Sequence, residues 1–80
     1  MYITTRKIIY PEGDELEIEH ALTINELVDL NGFPLNLPLP TSRMIVYRIM
    51  KITTDTYRGG ETVKYFLELL TKYELEEYVI

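Results

Sequence analysis

Glu61-Thr62-Val63-Lys64-Tyr65-Phe66-Leu67-Glu68-Leu69-Leu70-Thr71-Lys72-Tyr73-Glu74 is the stretch whose period decides the fold. Two periods compete in it. Val63, Tyr65, Leu67 and Leu69 alternate like the buried face of a strand, while Val63, Phe66, Leu67 and Leu70 also share one face of a helix. Thr71-Lys72-Tyr73-Glu74 resolves the competition. Threonine followed three residues later by glutamate is a capping box: the hydroxyl accepts from the N–H ahead, and the carboxylate from the N–H behind. A helix that begins at Thr71 is not already running through Leu70. Residues 61–70 are therefore predicted as strand and 72–78 as a short helix.

Upstream, Arg43 to Thr54 reads as a central strand, apolar on both faces through Met44, Ile45, Val46, Tyr47, Ile49, Met50 and Ile52. Asp55 to Gly60, ending in two glycines, reads as a loop. At the other end of the chain, Tyr2 to Tyr10 is rich in β-branched and aromatic residues and predicts a strand. Pro11-Glu12-Gly13 predicts a type I turn, with Gly13 in the left-handed conformation of a bulged hairpin loop. The return strand, Glu15 to Leu22, alternates Leu16, Ile18, His20 and Leu22 against Glu15, Glu17 and Glu19. A three-residue loop sets Ile8 opposite Leu16 and Lys7 opposite Glu17, both sensible pairs across a ladder.

Thr23-Ile24-Asn25-Glu26 repeats the capping box, Leu27, Val28 and Leu30 follow, and Asn31-Gly32 supplies a stop. That predicts a helix of about two turns. Leu22-Thr23 with Glu26-Leu27 also matches Leu70-Thr71 with Glu74-Leu75, which suggests a (ββα)2 pseudo-repeat. The expected fold class is α+β: an antiparallel sheet of about four strands with two short helices, in one domain spanning residues 1–80.

Phe33 to Thr41 joins the two halves, and its prolines exclude helix. Pro34, Pro38 and Pro40 share one parity and remove the donors from one edge of an extended chain. Leu35, Leu37 and Leu39 share the other parity, keep their N–H groups and point to one face. The segment is expected to be a one-sided strand docked on an apolar surface, its own or a second copy's, rather than a slack linker. On that reading Leu37→Asp would bury an unpaired charge and cost about 2–4 kcal/mol.

Thirteen acidic against eight basic residues leave a net charge of -5 over 80 residues, which opposes general binding to a phosphate backbone. The charge is uneven. Residues 12–29 hold acidic side chains alone, while residues 43–64 hold Arg43, Arg48, Lys51, Arg58 and Lys64 against Asp55 and Glu61. An acidic hairpin beside a basic one is the simple reading. Met1 to Tyr10 carries Arg6 and Lys7 without the apolar core of a leader. No apolar run approaches the roughly 18 residues of a membrane span, so a soluble cytoplasmic protein that does not bind membranes is expected.

Chemistry has few carriers. There is no cysteine, hence no disulfide and no thiolate site, and Ser42 is the sole serine. The sole histidine, His20, sits in the apolar stripe of its strand and is expected to be buried and to bind no metal. Glu15, Glu17 and Glu19 share a face at roughly 7 Å per step, too wide for one ion. No catalytic residues, metal or cofactor are assigned, and no activity as an enzyme is expected. The expectation is a small interaction or accessory module with a protein partner, and an 80-residue core without staples makes a homodimer plausible. The residues put forward for partner binding are Leu35, Leu37, Leu39, Tyr47, Arg48, Lys51, Tyr57 and Arg58. The alternative is a nucleic-acid module using the 43–65 hairpin, where tyrosines interleave with cations. Against it, strict alternation puts Arg48 and Lys51 on opposite faces. Tyr78-Val79-Ile80 could serve as a peptide for a partner groove, but packing on the protein's own sheet is preferred.

Overall fold

Pro11 opens the first turn as its fixed φ dictates. In the computed structural model, which describes residues 1–41 and 43–79, Gly13 N–H donates to the Tyr10 carbonyl and Tyr10 N–H to that of Asp14, both at 2.9 Å. Gly13 takes φ 102°, a region that L side chains avoid. The turn joins β1 (Ile3–Ile9) to β2 (Glu15–Ile18), with Ile8 opposite Leu16 and Lys7 opposite Glu17. The return strand is shorter than its alternation implies. It stops at Ile18, and the chain then bends at Glu19-His20. His20 is half-buried rather than enclosed: its Nε2 lies 2.7 Å from the Gly32 carbonyl oxygen, and its ring stacks on Phe33 at 5.3 Å.

The second hairpin is much longer. β4 (Tyr47–Tyr57) and β5 (Gly60–Leu69) are joined by Arg58-Gly59 alone, with Gly59 at φ 92°. The expected strand at 43–54 is thus shifted by four residues at its start, and most of the expected loop at 55–60 is strand. β-branched side chains explain the extension: Ile52, Thr53, Thr54 and Thr56 favour extended backbone, and Asp55 does not override them. After β5 comes α1 (Lys72–Glu76), with the complete capping box between Thr71 and Glu74. The strand period was the right choice for residues 61–70.

The two halves are not repeats. Thr23 N–H does donate to the Glu26 carboxylate at 2.9 Å, as in a capping box. No helix follows. Asn25 adopts φ 68°, which turns the chain off any helical path. Leu27 and Val28, both buried, instead form β3 (Leu27–Val28) against Arg48 and Tyr47. Tertiary pairing has overridden a local helix signal.

The five strands form one curled sheet of half-barrel shape, in the order β2-β1-β5-β4-β3. It is mixed rather than antiparallel, because β1 runs parallel to β5 from Ile3–Gly60 to Ile9–Phe66. The α+β expectation of four antiparallel strands and two helices is therefore overturned: the described residues are mostly sheet with one short helix. Alternation tells which face a strand buries, not which neighbour it takes.

Two apolar clusters result, one on each face. Ile8, Ile18, Leu22, Val28, Tyr47, Ile49, Tyr65 and Leu67 fill the inside of the curl. Leu27, Leu39, Val46, Leu70 and Leu75 form a second cluster under α1 at one end of the other face. The proline-rich segment contributes to this second cluster. Leu35 N–H donates to the Leu27 carbonyl at 3.0 Å, and Leu39 N–H to that of Tyr78 at 2.7 Å. Val79 meets Leu39 in an isolated parallel bridge. The sole serine and Ile80 lie outside the described residues.

The β1–β5 pairing generates a test. A Cβ at buried Gly60 would press into the Ile3 carbonyl oxygen, part of the backbone at the first parallel pair, and lie 2.8 Å from the Tyr57 hydroxyl. Gly60→Ala should destabilise by about 1–3 kcal/mol through overpacking. Thermal melts should fall by about 4–8 °C per kcal/mol for a domain of this size.

Candidate functional site

A β-bulge between Ile49 and Lys51 rearranges the basic hairpin. Arg48 pairs with Glu68, Ile49 with Leu67 and Lys51 with Phe66, so one extra residue, Met50, is inserted. Directly opposed residues share a sheet face, and Glu68 and Phe66 lie two apart on regular β5. Arg48 and Lys51 therefore lie on the same face. Strict alternation placed them on opposite faces because a bulge leaves no mark in the apolar pattern.

That face does not hold a free cationic stripe. Arg48 forks onto Glu68, with Nη2 2.9 Å from Oε1 and Nε donating to Oε2 at 3.3 Å, and it also reaches Glu74 of α1 at 3.4 Å. Glu68 first, with Glu74 behind it, raises the guanidinium pKa, although burial works against this. Bonds from the Thr71 backbone and hydroxyl, and then the Arg48 charge, hold the Glu74 carboxyl below the usual carboxylate range. Lys51 Nζ sits 5.7 Å from the centre of the Phe66 ring, and Lys64 approaches Asp55 at 3.9 Å. Arg48 alone of the three bridges the sheet to α1, while Lys51 and Lys64 link β4 to β5.

The eight residues put forward from sequence do not converge. Tyr47 is buried, its ring edge-to-face with Tyr10 at 5.5 Å, and burial raises the phenol pKa of both. Leu39 is 2% exposed and Leu35 packs against the same cluster, so both belong to the core. Leu37 is the exception in its row at 55% exposed, which removes the basis for a large cost on Leu37→Asp. Arg48 is occupied by its two carboxylates. Lys51, Tyr57 and Arg58 remain, and they share the second half of β4 and its tip. There Tyr2 donates its hydroxyl to Glu61 at 3.0 Å, and that bond raises its phenol pKa.

What this half of β4 offers is backbone. A two-residue turn closes on the hydrogen-bonded pair Tyr57–Gly60, so Tyr57, Asp55, Thr53 and Lys51 direct their N–H and C=O groups to β5. Ile52, Thr54 and Thr56 direct theirs the other way. Up to Ile49 that outer side is taken: Ile49 N–H donates to the Glu26 carbonyl at 3.0 Å and Asn25 N–H to the Ile49 carbonyl at 2.8 Å. From Lys51 to Tyr57, no strand or bridge among the described residues pairs with it. The run Ile52-Thr53-Thr54-Asp55-Thr56-Tyr57 carried the signal, being β-branched and proline-free, but reading Asp55 as the start of a loop concealed it.

The surface also carries shallow depressions, two of which have apolar walls. One, of about 500 Å³, is walled by Met44, Ile45, Leu69, Leu70 and Leu75 with Arg43 and Lys72 at its rim. The other, of about 560 Å³, lies between β2 and the 31–33 turn beside His20 and Phe33. Among the described residues, no three His, Asp or Glu side chains gather within reach of one metal ion. No helix among the described residues is long and apolar enough to cross a membrane.

Fold and surface together define a small, curled mixed-sheet domain with one long uncovered strand edge. The chain belongs to the family described as "Uncharacterised Treponema protein", whose family model matches residues 3–78. No curated protein and no solved structure matches it.

Two tests follow from these placements. Leu39→Ala should cost about 2–5 kcal/mol by opening a cavity, whereas Leu37→Asp should stay within about 0.5 kcal/mol. Urea unfolding of the two variants measures the difference. The second test is a pH titration. A carboxyl with a lowered folded pKa stabilises above the usual carboxylate range, and that stability is lost as pH falls through the lowered value. The helical amide shifts of Leu75 and Glu76 should therefore collapse at acid pH in the wild type. In Glu74→Gln they should be weaker at neutral pH and nearly flat across the same range.

Proposed function

We propose that the protein is a small non-catalytic interaction module of the cytoplasm that receives an extended segment of a partner protein along the outer edge of β4. The observation that carries this reading is the unpaired backbone of Ile52, Thr54 and Thr56 on a seven-residue edge. Strand addition draws affinity from such main-chain groups and specificity from side chains on alternating sides. Lys51, Tyr57 and Arg58 flank the edge, and Tyr57 is 51% exposed.

A non-catalytic role is supported by how the reactive side chains are occupied. His20 is taken up by the Gly32 carbonyl and the Phe33 ring, and Arg48 by two carboxylates. The nucleic-acid alternative is the weaker one. The bulge does place Arg48 and Lys51 on one face, but Glu68 and Glu74 neutralise Arg48 and the net charge is -5.

Capture from an extract of the native host, separated into protein and nucleic-acid fractions, tests this. Thr54→Pro removes one N–H from the open side of β4 and leaves the bonds to β5 in place. Protein should be retained by the wild-type chain and largely lost on the Thr54→Pro chain. Nucleic acid retained equally by both would overturn the reading.

A further inference from the structure

We infer that the segment received by the β4 edge is the same edge of a second copy, paired antiparallel about a two-fold axis through Thr54. This rests on the strand-receiving reading above and names the occupant. Three observations carry it.

The first is that the other edges are short and either charged or covered, whereas this one is long. β2 is four residues long with Glu15 and Glu17 on one face, and β3 is two residues long and covered by Pro34 and Leu35. Short, charged or covered edges are the usual protections against pairing with another chain. Residues 51–57 have no proline, and each of their two charged side chains has a partner on β5: Lys51 lies over the Phe66 ring and Asp55 is 3.9 Å from Lys64.

The second is length. Asn25 and Glu26, just ahead of β3, block the edge at Ile49, and the hairpin tip ends it at Tyr57. The free run on one copy therefore fills the free run on the other from end to end when Thr54 meets Thr54. Ile52, Thr54 and Thr56 then face Thr56, Thr54 and Ile52 of the second copy. Each is a hydrogen-bonded pair, which gives about six bonds between the chains. Shifting the centre to Asp55 would set two carboxylates directly opposite, and shifting it to Thr53 would run Tyr57 into Asn25 and Glu26 where they hold Ile49 of the other copy.

The third is charge. In the Thr54-centred register Thr53 faces Asp55 of the second copy, and Lys51 lies on the diagonal to that same carboxylate. Diagonal neighbours are about 7–8 Å apart, within reach of a lysine. Two-fold symmetry makes each contact twice, and no like charges oppose.

Sedimentation equilibrium of the full chain over the micromolar to sub-millimolar range tests the inference. The wild type should reach twice the chain mass, and Thr54→Pro should stay at one chain mass with an unchanged circular dichroism spectrum. Cysteine cross-linking is the second measurement, clean because the chain has no cysteine of its own. Across the axis, Thr54→Cys sulfurs belong to a pair about 5.5 Å apart at Cα, within disulfide range, whereas Thr56→Cys sulfurs are four positions out of register. Thr54→Cys should form a linked dimer on mild oxidation and Thr56→Cys should not. A wild type that sediments as one chain throughout, or equal cross-linking at both positions, overturns the self-pairing. If the wild type is monomeric but still captures a different protein in a Thr54→Pro-sensitive way, the strand-receiving reading stands and only the self-pairing falls. A monomer that captures no protein sinks both.

Discussion

β5 is hydrogen-bonded to β4 in antiparallel fashion from end to end and to β1 in parallel fashion from Gly60 to Phe66. Every other element is placed by it. β2 is held through β1, β3 through β4, and α1 follows directly from the end of β5. The constraint is strictest at Gly60, where the Ile3 carbonyl approaches so closely that no side chain fits. Parallel pairing brings together residues from opposite ends of the chain, whose loop-closure entropy only a long, continuous ladder offsets.

The two-sided burial follows from that frame. The inside of the curl takes the alternating apolar residues of β1, β4 and β5, with Ile8 and Ile49 fully enclosed. At one end the opposite face is also apolar, because Val46 and Leu70 lie just outside the strands that precede and follow them. Leu75 of α1 and Leu39 of the proline-rich segment cover it. Arg48 reaches from the sheet to Glu74 and ties this cover down, at modest energy since both partners are partly exposed. A chain of 80 residues thereby encloses two small cores without a disulfide.

The bulge at Met50 links architecture to surface. It falls where pairing on the outer side of β4 ends at Ile49, so among the described residues the edge from Lys51 to Tyr57 has no neighbouring strand. It also resets the alternation, placing Lys51 above Phe66. Among the described residues the uncovered edge of β4 is thus a matter of which strands lie beside it rather than of any special motif.

The sequence by itself determined the local features whose causes are local. The Pro11–Gly13 turn, the Ile8–Leu16 register, the strand over 61–69 and the capping box at Thr71 all depend on neighbours within a few residues, and each is present. The identical box at Thr23 shows where that ends. Its side-chain bond to Glu26 forms, but Leu27 and Val28 are buried more fully against β4 than a short isolated helix would bury them. Only the tertiary structure decided the parallel β1–β5 pairing, the bulge, and which of the eight proposed interaction residues remained free. Alternation records which side of a strand is apolar. It carries no information on which strand lies alongside, because backbone N–H and C=O groups are the same in every residue but proline. The open edge of β4 is for that reason legible only once the sheet is assembled.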